Sequence, residues 1–183
     1  MPPRDPFPTL PVVVGVAFVA ILIALVVLAK IGSIKSTPPP LAGISCQHGE
    51  VLAVHYHTHL QIIYDGTPVN LPSQVGIKSG CSYWLVTHDT SGIIHVEAPK
   101  SEAHRTFTLG DFFAVWRQPL GSKQVATLKI RAGQSLRVFV DGKLYQKAPS
   151  SVALASHKVV VLEIGPSFIQ PPPSFTWPAS LPD

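Results

Sequence analysis

A run of alternating histidines constrains the fold of this chain more than any other feature. The segment HYHTH at residues 55–59 continues through LQIIY to Asp65-Gly66. β-Branched and aromatic residues followed by Asp-Gly are typical of a strand that enters a tight hairpin. Side chains of a strand alternate between its two faces, so His55, His57 and His59 are expected to line one face. Because imidazole is a common metal ligand, that face is a candidate metal site.

A second feature is an uncharged apolar segment near the N-terminus, at residues 10–29. A helix of that length rises about 30 Å, which is the thickness of the hydrocarbon core of a bilayer. We therefore predict a transmembrane anchor at residues 10–30, between a short lead at 1–9 and a Pro-rich spacer at 31–42. A cleaved signal peptide is the alternative, although its apolar region is usually shorter and its start more basic.

The two cysteines indicate the compartment. Cys46 and Cys81 are the only cysteines, and they do not form a CxxC motif. An even pair in a small domain is typical of a disulfide formed in an oxidising compartment, while two unpaired buried thiols are the alternative. The positive charges that flank the apolar segment are nearly balanced. The cysteines therefore favour a single-pass protein of the cell membrane whose C-terminal domain lies outside the cytoplasm.

The rest of the chain predicts one β-rich domain at residues 43–166. The predicted fold is mostly β, sandwich-like and built from hairpins, with one short helix near 108–117. Thr108 and Asp111 have the spacing of a capping box at the start of that helix. The proline density of the tail at 167–183 argues against packed structure, although Phe175 and Trp177 could dock onto another surface. The predicted strands are 55–64, 67–71, 83–88, 93–97, 124–130, 136–140, 143–145 and 158–164.

An internal similarity links two of these hairpins. LQIIYDGTPV at residues 60–69 aligns with LRVFVDGKLY at 136–145. Either a duplication or the shared chemistry of Asp-Gly turns explains the match. If the match is a duplication, the absence of alternating histidines from the second segment indicates that the fold does not require them.

A second set of metal-ligand residues lies in the hairpin at 83–97. With Asp89–Gly92 as its loop, Val86 pairs with His95, and paired residues share a face of the sheet. His88, His95 and Glu97 are then expected on one face.

Strand geometry limits how many of the alternating histidines share one ion. Residues i and i+2 lie roughly 6.6 Å apart along a strand, and i and i+4 roughly 13 Å. At most two of the three are expected to bind the same ion at about 2.0–2.1 Å. The predicted ligands are His57, His59, His88 and His95, and the secondary candidates are His55, Glu97, Asp89 and His157.

The ligand types narrow the metal. The initiator is the only methionine, so a thioether site is excluded. If Cys46 and Cys81 form a disulfide, a thiolate site is excluded as well. Imidazole suits zinc, copper, iron and nickel, and outside the cytoplasm we favour copper or zinc. Histidines on strands can also be exposed without function, or act as pH sensors.

Three segments together resemble an uncharacterised group of membrane-anchored, His-rich extracytoplasmic prokaryotic domains. They are YHTHLQIIYDG, YWLVTHDTSGIIHVEAP and FTLGDFFAVWRQPL, and the resemblance covers roughly residues 46–165. The resemblance implies one domain outside the cytoplasm. It does not indicate a particular activity. Where the group leads us to expect a second HxH, this chain has Val86-Thr87-His88, so one ligand of that pattern is missing.

Three functions fit these patterns. The first is a membrane-anchored extracytoplasmic domain that binds copper or zinc. The second is a hydrolytic or redox metalloenzyme at the same site, with Glu97 or Asp89 as acid or base. The third is an accessory subunit without a metal, whose tail binds a membrane-protein partner. The net charge of +4 without a Lys/Arg run makes nucleic acid an unexpected partner.

Overall fold

The computed structural model describes residues 10–31, 37–49 and 53–181, and in the first of these segments it describes side chains at 14–27. The chain divides into two compact units, Met1–Ser36 and Thr37–Asp183. The first unit contains helix α1, Leu10–Ile31, whose described side chains are exposed. Over the residues whose side chains are described, no helix is long and apolar enough to cross a membrane. The membrane anchor stays a prediction.

The second unit is mostly β, as predicted. Its strands are β1 Cys46–Gln47, β2 Val54–Tyr64, β3 Thr67–Val69, β4 Ile77–Lys78, β5 Cys81–Tyr83, β6 Leu85–Val86, β7 Ile93–Ala98, β8 Gln124–Val125, β9 Leu128–Lys129, β10 Ser135–Val140, β11 Lys143–Leu144 and β12 Lys158–Gly165. The short helix α2 is Leu109–Trp116, and single 3₁₀ turns lie at Lys100–Glu102 and Pro149–Ser151. The Pro-rich spacer overlaps this unit, since the Tyr83 hydroxyl donates to the Pro39 carbonyl at 2.9 Å.

Strand β2 lies in the middle of the main sheet. The strand order is β11-β10-β12-β2-β7-β6, and β3 also pairs with β2. The pairing of β12 with β2 is parallel, and the other pairings in this sheet are antiparallel. Because β2 is long, its N-terminal half pairs with β7 and its C-terminal end with β3. Of the alternating histidines, His59 therefore has a strand partner on both sides, whereas His55 and His57 are paired in a strand with β7 only.

The two Asp-Gly segments form equivalent hairpins. Asp65 and Gly66 have φ of 49° and 77°, and Asp141 and Gly142 have φ of 49° and 75°. Positive φ at both central residues is the type I′ turn that Asn-Gly and Asp-Gly favour, because its twist matches that of the strands. The predicted hairpins are therefore confirmed, and the shared turn is sufficient to explain the internal similarity.

Two predicted strands are shorter than expected. Residues 124–130 fold as the hairpin β8–β9 instead of one strand, because Ala126 adopts a φ of 49° and turns the chain. In the segment 83–88 the strand is interrupted at Trp84, and β6 ends at Val86. His88 consequently lies just beyond the strand.

Helix α2 has the predicted start. The Thr108 hydroxyl accepts from the Asp111 backbone N–H at 3.2 Å, and the Asp111 carboxylate accepts from the Thr108 N–H at 2.9 Å. This capping box satisfies two N–H groups that a helix leaves unpaired. The helix ends at Trp116, and the C-cap residue Arg117 has left-handed φ and ψ of 59° and 37°.

One face of the main sheet packs into a large apolar core. Helix α2 contributes Leu109, Phe112 and Phe113 to this core, and the small sheet β1-β5-β4 contributes Cys46, Cys81 and Tyr83. The layer over the sheet is thus a helix and a small sheet. Each fully buried apolar side chain stabilises the fold by about 1.5–3 kcal/mol. The predicted disulfide is confirmed, since Cys46 and Cys81 are bonded and tie β1 to β5.

The C-terminal tail lies against the opposite face of the main sheet. The described tail residues have no helix or strand, yet the Ile169 N–H donates to the buried Glu163 carboxylate at 2.7 Å. Further along, the rings of Phe175 and Trp177 contact histidines of the domain. The described tail therefore has no regular structure, but it docks onto the domain through Phe175 and Trp177, the aromatic residues expected to dock, and through the Glu163 carboxylate.

Candidate metal site

The register between β2 and β7 sets the composition of the site. His57 lies directly opposite His95, His55 opposite Glu97, and His59 opposite Ile93. Directly opposite residues of an antiparallel pair share a face and have neighbouring Cβ atoms. Metal-ligand side chains from two distant segments therefore meet around His57 and His95.

Three histidines form the first cluster, which we call the inner group: His55, His57 and His95. Their ligand nitrogens all lie within 4.8 Å of one another. The ring centroid of His57 lies 4.6 Å from the ring centroid of His55 and 4.7 Å from that of His95. His57 is only 1% exposed, whereas His55 is exposed. The inner group therefore extends from the protein interior to solvent.

A second cluster, the outer group, consists of His88, His95 and Glu97, whose ligand atoms also lie within 4.8 Å of one another. The His88 Nε2 lies 3.2 Å from Glu97 Oε1, and the His95 Nδ1 lies 3.9 Å from the same oxygen. The predicted pairing of Val86 with His95 is present and brings His88 to this position. His95 belongs to both groups.

The pKa of His95 is lowered to about 4. Burial is the main cause, and the neighbouring imidazoles of His88, His57 and His55 act in the same direction, opposed by Asp89. A metal ion binds only a ring nitrogen that carries no proton. At neutral pH this ring is therefore neutral and able to bind a metal.

Asp89 lies in the loop beside the outer group. Its carboxylate accepts from the Ser91 backbone N–H at 2.8 Å. Hydrogen bonds from Ser91 lower the pKa of Asp89, and the nearby His95 and His88 contribute in the same direction. The loop therefore places a negative charge near the shared imidazole.

His59 lies outside both groups. Its Nε2–H donates to the Ser91 carbonyl at 3.2 Å, and its ring stacks on Phe175 at a centroid distance of 3.6 Å with the ring planes 11° apart. Burial lowers the pKa of His59 to about 4, against a smaller effect of the Ser91 hydrogen bond. The tail therefore covers a side chain that the sequence predicts as a ligand.

His157 also lies outside both groups, among the residues that the structure describes. Its Nε2 donates to the Leu181 carbonyl at 3.3 Å, and its ring contacts Trp177 at 4.6 Å. Like His59, it holds the tail against the sheet.

Removing the Phe175 ring is expected to expose His59. In the Phe175→Ala variant we expect the pKa of His59 to rise from about 4 by at least about one unit toward its ordinary value, since burial is the main cause of the shift. NMR titration of the histidine ring protons in metal-free protein measures this. Phe168→Ala is the matched control, because Phe168 lies in the same tail but contacts Arg137. An unchanged His59 pKa in Phe175→Ala would show that the tail does not cover this ring.

The sequence predicts four ligands, and the structure places two of them, His57 and His88, each beside a third, His95. It adds the secondary candidates His55 and Glu97, and it holds His59 apart. His55 joins the site because of the register between β2 and β7. That register could not be predicted from a turn, because the two strands belong to different hairpins. The buried Glu163, which binds the tail, has no signal in the sequence pattern.

The inner group can supply three of the four ligands of a tetrahedrally coordinated ion. Ligand atoms at about 2.1 Å from a tetrahedral ion lie about 3.4 Å apart. The three nitrogens lie within 4.8 Å of one another, so small side-chain movements would close them around an ion. The exposed position of His55 leaves a side of the group accessible to a fourth ligand. Comparison with protein-family models, with curated proteins and with solved structures finds no match for this chain.

Proposed function

We propose that this protein is a membrane-anchored, extracytoplasmic domain that binds copper or zinc through the inner group. The observation that carries the proposal is the convergence of three imidazole nitrogens within 4.8 Å. His57 is almost fully buried, and the rings of His55 and His95 lie directly beside it. Three imidazoles this close together can bind one metal ion jointly, which isolated histidines on a strand cannot do.

The ligand chemistry favours copper(II) or zinc. The inner group offers imidazole nitrogen, the neighbouring outer group adds one carboxylate, and the two cysteines are bonded to each other. Imidazole binds both ions well, while copper(I) favours thiolate and thioether ligands, which this site does not offer. The disulfide and the apolar segment at residues 10–29 support a location on the outer side of a membrane.

The direct test is metal content and affinity. Full-length protein without an affinity tag, purified in mild detergent, is expected to bind copper(II) or zinc stoichiometrically. The His57→Ala and His95→Ala variants are each expected to bind at least about 100-fold more weakly, since each loses a ligand. Mass spectrometry of the metal and isothermal titration calorimetry measure the content and the affinity.

His48→Ala and His104→Ala are the matched controls. Both residues are exposed and lie outside the two groups. They are expected to bind the metal as the unchanged protein does. Equal loss of affinity in the controls, or no stoichiometric metal in the unchanged protein, would overturn the proposal. Circular dichroism spectra of each variant separate a lost ligand from a lost fold.

A further inference from the structure

His95 lies at the junction of two ligand groups. It faces His57 on one side at a centroid distance of 4.7 Å, and His88 on the other at 4.4 Å. Both neighbouring rings meet it edge to face, with interplanar angles of 88° and 69°. An imidazole has two ring nitrogens on different sides of the ring. The Nδ1 of His95 points toward the outer group, where Glu97 Oε1 lies 3.9 Å away.

We propose that the protein holds two metal ions, one in each group, joined by the imidazole of His95. This inference rests on the proposed function and extends it to a pair of ions. The Nδ1 of His95 serves the outer ion together with His88 and Glu97. The Nε2 of His95 serves the inner ion together with His55 and His57. A ring that binds two ions releases its remaining N–H proton to solvent and becomes an imidazolate.

The charges around the pair suit this arrangement. Two neighbouring dications repel each other, and the repulsion is strong in partly buried surroundings. The imidazolate contributes one negative charge and Glu97 a second, and Asp89 lies close enough to influence His88 and His95 electrostatically. Together, the imidazolate and the carboxylates of Glu97 and Asp89 contribute three negative charges, which offset most of the charge of two divalent ions.

The exposure of the two groups predicts an order of binding. Each group has one exposed histidine and shares His95, but the third ligand of the inner group, His57, is 1% exposed, whereas the Glu97 side chain of the outer group is 14% exposed. Buried ligands are held in place by packing, so they lose less conformational freedom when an ion binds. The inner position is therefore expected to fill first and the outer position second.

The test counts copper ions and unpaired spins in the full-length chain, without a tag and in mild detergent. After saturation with copper(II) and removal of excess metal, we expect two copper ions per chain. We also expect loss of most of the electron paramagnetic resonance signal, because an imidazolate couples two copper(II) spins antiferromagnetically. The double variant His88→Ala/Glu97→Gln is expected to retain one copper with a full signal. His55→Ala is expected to weaken the inner ion and so to lose the coupling as well.

His104→Ala is the control and is expected to keep two copper ions and the weakened signal. One copper per unchanged chain would overturn the bridge and leave the proposed function intact. Two coppers with the full signal would overturn the bridge as well, since the ions would then bind independently. An absence of stoichiometric copper and zinc would overturn the proposed function and the bridge together.

Discussion

Removing the disulfide is expected to lower the free energy of unfolding by about 4 kcal/mol, since the bond closes a loop between residues 35 positions apart. The change is the double substitution Cys46→Ala/Cys81→Ala. Alanine is the suitable replacement because both half-cystines are buried, at 4% and 6% exposure, and a serine hydroxyl there would add the cost of an unpaired polar group. Urea unfolding followed by tryptophan fluorescence measures the difference.

Loss of the disulfide is expected to destabilise most the part of the domain that carries the outer group. The bond joins β1 to β5, and β5 precedes β6, which pairs with β7 beside His95. Reduction of the unchanged protein with dithiothreitol should reproduce the lower midpoint, while the double variant should be insensitive to reductant. A difference below about 1 kcal/mol would show that residual structure in the unfolded chain replaces the constraint of the bond.

Acidification of the metal-free protein is expected to lower its stability by about 2–4 kcal/mol between pH 6.5 and pH 4, after allowance for solvent screening. Burial lowers the pKa of both His59 and His95 to about 4, from an ordinary value of 6.5. The folded state thus favours the neutral rings. The stabilisation is present above pH 6.5 and is lost as the pH falls toward 4, because the unfolded chain binds protons that the folded chain does not.

Urea midpoints at several pH values, in the presence of a chelator, measure this loss. The double variant His59→Gln/His95→Gln removes both titrating rings and is expected to show a much smaller pH dependence in this range. His104→Gln, at an exposed position, should behave as the unchanged protein does. An equal pH dependence in the double variant would assign the acid sensitivity to other groups.

Several elements of the fold follow from local sequence signals. Asp65-Gly66 and Asp141-Gly142 form the expected hairpins because few dipeptides adopt positive φ at both positions as readily. Thr108 and Asp111 cap the short helix as their spacing predicts. The strand boundaries at 83–88 and 124–130 were less predictable. There the chain turns through the left-handed conformation of Ala126 and the strand breaks at Trp84, and neither follows from residue preference.

The sequence by itself determined which residues could bind a metal and which face of β2 they occupy, because strand periodicity is a local property of the backbone. It also determined that two cysteines were available for one disulfide. The tertiary structure decided which histidines meet. The pairing of β2 with β7 places His95 opposite His57, and the tail places Phe175 on His59. Both are contacts between segments far apart in the chain, whose register depends on the complete core and on no single turn.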